Sequence, residues 1–162
     1  MTISRPDFSF LLAHPAHLIA FGFGSGLSPK APGTVGTLLG VPLFWLVTSV
    51  APDGPNRIVL LIAAFLLGVW ACGRTGRALG VADHGGMVWD EIVAFALVLL
   101  FAPAGWLWMA LAFALFRLFD ILKPWPIRVA DRHLKNGFGV MFDDLLAAAF
   151  AIAALEGLQW LV

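Results

Sequence analysis

Residues 92–120 read IVAFALVLLFAPAGWLWMALAFALFRLFD. No charge interrupts the run before Arg117. As a single helix, its 28 residues up to Phe119 would be about 42 Å long, against a hydrocarbon core of about 30 Å. Ala102-Pro103-Ala104-Gly105 interrupts the run and is a tight-turn signal. The stretch therefore reads as two short apolar helices, 92–102 and 106–119, doubled back on each other. Trp89-Asp90-Glu91 stands before the first, and Arg117 and Asp120 stand at the end of the second.

The rest of the chain has the same character. It is 60% hydrophobic and only 12% charged, where a soluble domain carries about 25% charged residues. That balance indicates a membrane protein rather than a soluble helical bundle. The formal net charge is zero, so nothing favours nucleic acid. Cys72 is the sole cysteine, which excludes an intramolecular disulfide. Three more apolar segments, 36–50, 58–72 and 145–162, bring the total to five. A 15-residue helix spans about 22 Å, so flanking residues must lengthen such segments or the bilayer must thin. Residues 1–21 do not resemble a cleavable signal peptide. Arg5 is a basic flank, but His14-Pro15 and His17 break the apolar part and no A-x-A-like site follows. This segment reads as an amphipathic helix on the membrane surface or packed on the bundle. The expected fold is all-α: a single domain, 1–162, forming an integral membrane bundle of about five short transmembrane helices plus the N-terminal amphipathic helix.

Charge orients the bundle. If the five segments alternate across the bilayer, Arg5, Lys30, Arg74, Arg77, Arg117, Lys123, Arg128, Arg132 and Lys135 fall on one side and Arg57 on the other. The positive-inside rule makes the crowded side cytoplasmic and the C-terminus external. Trp106, Trp108 and Trp160 then sit near the outer interface. Asp83, Asp90, Glu91, Asp120, Asp131, Asp143 and Asp144 share the cytoplasmic side, which gathers the polar chemistry at one membrane face.

Four clusters could carry that chemistry. Residues 24–37, GSGLSPKAPGTVGT, combine glycine and proline with the hydroxyls of Ser25, Ser28, Thr34 and Thr37 and the cation Lys30. They lead into a helix whose N-terminal amides favour an anion, so Lys30 and Thr34 are candidate phosphate contacts. A plain loop entering the membrane explains the stretch equally well. In residues 83–91, DHGGMVWDE, Asp90 and Glu91 open a helix, where they could serve as caps or as ligands. His84 is a possible ligand or general base. Arg117 and Asp120 could pair as i,i+3 neighbours, but that leaves Lys123, Arg128 and Asp131 unexplained. Pro124 and Pro126 stop the helix there. In NGFGVMFDDLLA, residues 136–147, a turn at Asn136-Gly137 precedes Asp143 and Asp144, which are expected to start and cap the last helix. Together, Asp90, Glu91, Asp120, Asp143 and Asp144 offer oxygen ligands for a hard cation, Mg²⁺ first. Lys30, Arg117, Lys123 and Arg128 offer the positive groups a phosphate needs. Beside a lipid phase, this combination points to phosphoryl chemistry on a lipid head group.

The motifs GFGSGLSPKAPGTVGT, VWDEIVA, FRLFDILKPWPIR and GVMFDDLLAA, in this order from about Gly22 onward, resemble the successive signatures of the phosphatidylglycerophosphatase A family. The resemblance implies a Mg²⁺-dependent integral membrane phosphatase that converts phosphatidylglycerophosphate to phosphatidylglycerol and phosphate, in the bacterial inner membrane with its site facing the cytoplasm. It carries over Asp90, Glu91, Asp120, Asp143 and Asp144 as acidic positions, and Lys30, Arg117, Lys123, Arg128 and Asp131 beside them. One departure is that Val93 is followed by Ala94, where the family usually has glycine. Two mechanisms suit a phosphomonoester: attack by metal-activated water, or an aspartyl-phosphate intermediate. The chain lacks the DxDx[TV] and SGH patterns of other phosphatase superfamilies, which favours water. The rival readings are a small transporter using boundary carboxylates as an ion relay and a non-catalytic scaffold.

Overall fold

The computed structural model describes residues 6–161. The basic flank Arg5 and the terminal Val162 lie outside the described residues. The described chain is all-helical: α1 Phe8–Leu12, α2 Pro15–Ala20, a 3₁₀ segment Gly22–Leu27, α3 Pro32–Val50, α4 Gly54–Leu79, α5 Trp89–Phe101, α6 Trp106–Leu122, α7 Ile127–His133 and α8 Gly137–Gln159.

The short helix α5 is the centre of the bundle. An α-helix that is apolar on every face must be surrounded, and nine of the 13 residues of α5 are buried. Helix α3 lies along one side, α8 and α4 along others, and α6 packs against α8. Small residues permit these close approaches. A side chain at Gly40 of α3 would come within 2.9 Å of the Ile92 carbonyl oxygen. One at Gly68 of α4 would overlap both Met141 and Trp89. The Trp89 indole N–H donates to the Ala64 carbonyl at 3.0 Å, fixing the level of α5 against α4.

All five expected apolar segments form helices. Three of them, α3, α4 and α8, are long and apolar enough to cross a membrane. Helices α5 and α6, with 13 and 17 residues, are about 20 and 26 Å long and fall short of a ~30 Å core. The ends lie further out than hydropathy alone suggests. Helix α4 continues to Leu79 through Arg74 and Arg77. Helix α8 starts at Gly137, where the Asn136 side chain accepts from the Gly139 amide at 2.9 Å. Trp106 and Trp160 are strongly exposed, as amphipathic rings at an interface would be.

The N-terminal segment is two short helices rather than one. His14 leaves the helical region and its Nδ1 accepts from the Ala16 amide at 3.1 Å, while Pro15 takes the first position of α2. Helices α1 and α2 pack on the bundle. Leu11, Ala16 and Ala20 are fully buried, and the Val88 amide donates to the Ala20 carbonyl at 2.8 Å. This contact ties the segment to the turn that launches α5.

The α4–α8 crossing is the least forgiving of these contacts. A methyl at Gly137 would stand 2.2 Å from the Val69 carbonyl oxygen and 2.5 Å from the Gly73 nitrogen. Gly137→Ala is expected to cost about 2 kcal/mol, lowering the Tm in detergent by about 4–8 °C. Gly157→Ala, on the same helix but facing open space, should leave the Tm in place or raise it slightly.

Candidate functional site

Val88 enters α5 without a side-chain cap, and the first turn instead carries Asp90 and Glu91, where the helix dipole favours negative charge. Helix α8 crosses the same level and brings in Asp144. Each of the three offers a carboxylate oxygen lying within 4.8 Å of the other two. Asp90 and Asp144 are buried and Glu91 is nearly so. Asp90 Oδ1, Glu91 Oε2 and Asp144 Oδ2 are buried without a hydrogen-bond partner. Three carboxylates so placed repel one another and lose hydration, so the cluster is stable only with a positive group or with protons among them. The donor set, all hard oxygens with unused lone pairs, suits a small divalent cation.

A second layer holds this cluster in place. Arg117, near the end of α6, directs Nη1 to Asp120 Oδ2 at 2.5 Å and, more loosely, to Glu91 Oε1 at 3.5 Å. The same nitrogen lies 3.5 Å from Thr37 Oγ1, whose hydroxyl donates to the Gly33 carbonyl at 2.8 Å. A side chain at Gly33 would run into Glu91 Oε1 at 2.2 Å and reach Arg117 at 3.1 Å. The start of α3 therefore forms one wall of the site only because residue 33 has no side chain.

Lys123 forms the other support. It ends α6 in the left-handed conformation, φ 42°, which turns the chain away from the helix axis. Its ammonium bonds Asp143 and also Asp131, the latter at 3.0 Å. Burial alone would weaken its charge, but hydrogen bonds to Asp143 and Asp131 win and hold its pKa above the ordinary lysine value. Burial likewise opposes ionisation of Asp131, yet Lys123 pulls its carboxyl below the usual carboxylate range. Asp83, in the loop between α4 and α5, is raised, chiefly by burial.

The candidate residues thus fall into three groups. Asp90, Glu91 and Asp144 form the open acidic cluster. Asp120 and Asp143 lie beside it, each engaged by a cation, Arg117 and Lys123 respectively. Lys30 and Arg128 are exposed and make no ion pair among the described residues, and Thr34 is half-buried on the first turn of α3. The expected i,i+3 pairing of Arg117 with Asp120 is present. Capping by Asp143 and Asp144 is not: α8 begins six residues before Asp143, so both carboxylates sit inside the helix on its buried side. His84 accepts from the Gly86 amide through Nδ1 at 3.0 Å and holds the turn before α5. From the sequence, Thr37 is only one hydroxyl of the 24–37 cluster and Gly33 has no assigned role. Their spacing of four puts them on one helical face, a signal present in the sequence but without a visible partner 80 residues away.

The family model described as Phosphatidylglycerophosphatase A matches residues 18–159. A phosphatidylglycerophosphatase A of Haemophilus influenzae is 47% identical over 163 residues, covering 99% of this chain and 98% of its own. The phosphatidylglycerophosphatase A of Escherichia coli is 41% identical over 145 residues, 89% of this chain and 83% of its own. A Bacteroides thetaiotaomicron protein named as a candidate phosphatidylinositol-3-phosphatase is 37% identical over 152 residues, 90% of this chain and 94% of its own. No solved structure is a significant match.

Removing the partner of a buried carboxylate leaves an uncompensated charge. Lys123→Met strands Asp143, whose side chain is 6% exposed, and is expected to cost about 2 kcal/mol in thermal unfolding, as for a buried acceptor left without its donor. Adding Asp143→Asn to that variant should restore part of the loss, because the stranded charge is then gone.

Proposed function

Because the chain belongs to the phosphatidylglycerophosphatase A family, we propose that it hydrolyses phosphatidylglycerophosphate to phosphatidylglycerol and phosphate with the help of Mg²⁺, at the cytoplasmic face of a bacterial inner membrane. The acidic cluster is the observation that carries the metal reading. Asp90, Glu91 and Asp144 each bring a carboxylate oxygen within 4.8 Å of the other two, and each has a buried oxygen without a hydrogen-bond partner, a donor set that fits a divalent cation. When bound, the cation supplies charge neutralisation for the phosphate and a more acidic water.

The protein side chains have separate tasks. Asp90, Glu91 and Asp144 hold the cation. Arg117 holds Glu91 and Asp120, and Lys123 holds Asp143, so the carboxylate set keeps its shape before the substrate arrives. Lys30, Thr34 and Arg128 stand at the same end of the bundle and meet the phosphates of the head group. In the hydrolysis a water oxygen bonds to phosphorus, the P–O bond to the glycerol carbon's oxygen breaks, and a proton passes to that oxygen. The apolar helices keep the diacylglycerol part in the bilayer while the charged clusters meet the head group.

Phosphate release from phosphatidylglycerophosphate by the purified protein is the direct test. It should vanish with a chelator and return with Mg²⁺; release that is indifferent to chelation would overturn the metal reading. Asp90→Asn and Asp144→Asn keep the shape and remove a charged ligand. Each should lower kcat at least about a hundredfold, near 2.7 kcal/mol, with the protein still folded.

The orientation has its own test. In a Cys72→Ala background, a membrane-impermeant thiol reagent added outside should label Gln159→Cys but not Lys135→Cys, both positions being exposed. The opposite pattern would move the site to the outer face.

A further inference from the structure

Between α4, α5 and α8 runs a groove of about 200 Å³. Its walls are stripes at helical spacing: Leu61 and Phe65 on α4, Val93 and Leu97 on α5, and Leu145 on α8. Asp90 is its one polar lining residue among the described residues. Helices α4 and α5 run in opposite directions, and the Trp89–Ala64 hydrogen bond sets their relative height. Asp90 therefore marks the polar end, and Leu97, seven residues on, lies about 10 Å deeper in the apolar zone. The groove starts at a member of the acidic cluster and descends along the bundle.

We propose that this groove seats one acyl chain of the substrate lipid, so that the head group is delivered to Asp90, Glu91 and Asp144 with its phosphate in reach. The inference rests on the proposed phosphatase activity. Three facts select an acyl chain as the occupant. The lining is hydrocarbon apart from Asp90. The three flanking helices already touch one another pairwise, which leaves room for a flexible chain but not for another helix. The groove reaches Asp90, one member of the acidic cluster, so a chain covalently tied to a phosphate can fill the groove while its phosphate meets the cluster. The surrounding bilayer is as apolar as the groove, so the gain is orientation rather than affinity for hydrocarbon.

The test uses the full-length protein in lipid vesicles with phosphatidylglycerophosphate bearing a diazirine midway along one acyl chain. The label remains on the chain whether or not the phosphate has left. Photolysis should place adducts mainly on Phe65, Val93, Leu97 and Leu145, and excess unlabelled phosphatidylglycerophosphate should reduce them at least fivefold. Ile62→Trp, at a half-exposed position on the groove rim, should reduce them similarly. Leu66→Trp, an equal increase in bulk one turn along on the exposed face, should leave them unchanged. Phosphate release is measured in the same samples. Release accompanied by adducts scattered over α3 and α6, indifferent to the competitor and to Ile62→Trp, overturns the groove alone. Absence of release by the wild-type protein overturns the activity on which the groove rests, and the groove with it.

Discussion

Three carboxylates share one buried corner at the head of α5, and much of the surrounding structure can be understood as the means of keeping them there. Asp90, Glu91 and Asp144 come within 4.8 Å of one another with little water. Each would be more comfortable in solvent, because burial removes hydration and proximity adds repulsion. Apolar packing holds them in place: nine residues of α5 are buried, and the fully buried Ala147, Ala148 and Ala151 of α8 share a core cluster with it. The helix dipole of α5 offsets part of the repulsion but helps only Asp90 and Glu91. Asp144 sits inside α8, where no such help exists.

The neighbouring charges make the corner specific. Arg117 could neutralise any nearby acid, but its geometry commits it to Asp120 first and to Glu91 at longer range. Lys123 is similarly committed to Asp143 and Asp131. Two of the five candidate acids thus have dedicated partners. The remaining three each keep a buried oxygen without a hydrogen-bond partner. Glycines make the division possible. Gly33 lets the start of α3 approach Glu91 and Arg117, and Gly68 lets α4 close on Met141 and Trp89. Larger residues at either position would push a wall away from the carboxylates.

The same packing explains how a chain with helices of unequal length can serve a membrane-bound substrate. Helices α3, α4 and α8 are long enough to cross the bilayer, while α5 is short and sheltered among them. Its polar end is therefore walled by neighbouring helices. The groove beside it is lined by apolar residues and Asp90, so hydrocarbon surface adjoins the acidic cluster.

Much of this was legible in the sequence. Hydropathy gave the helical class and the apolar segments, the break at Pro103 and Gly105 gave the turn between α5 and α6, and the four motifs gave the family. These are local or compositional signals, and a few neighbouring residues determine them. Helix ends were less legible, because α4 continues through Arg74 and Arg77, and a capping Asn136 starts α8 before its apolar run. The sequence also offered five acids on one face as equals. Only tertiary structure sorted them, bringing Asp144 to Asp90 across 54 residues of chain and giving Arg117 to Asp120 and Lys123 to Asp143. The wall formed by Gly33 and Thr37 was likewise invisible until α3 packed on α5 and the Arg117 side chain reached Thr37. The physical reason is range. Helix formation and membrane insertion depend on the residues next in line, whereas pairing and burial of charge depend on which helices cross, and a linear pattern does not specify those crossings.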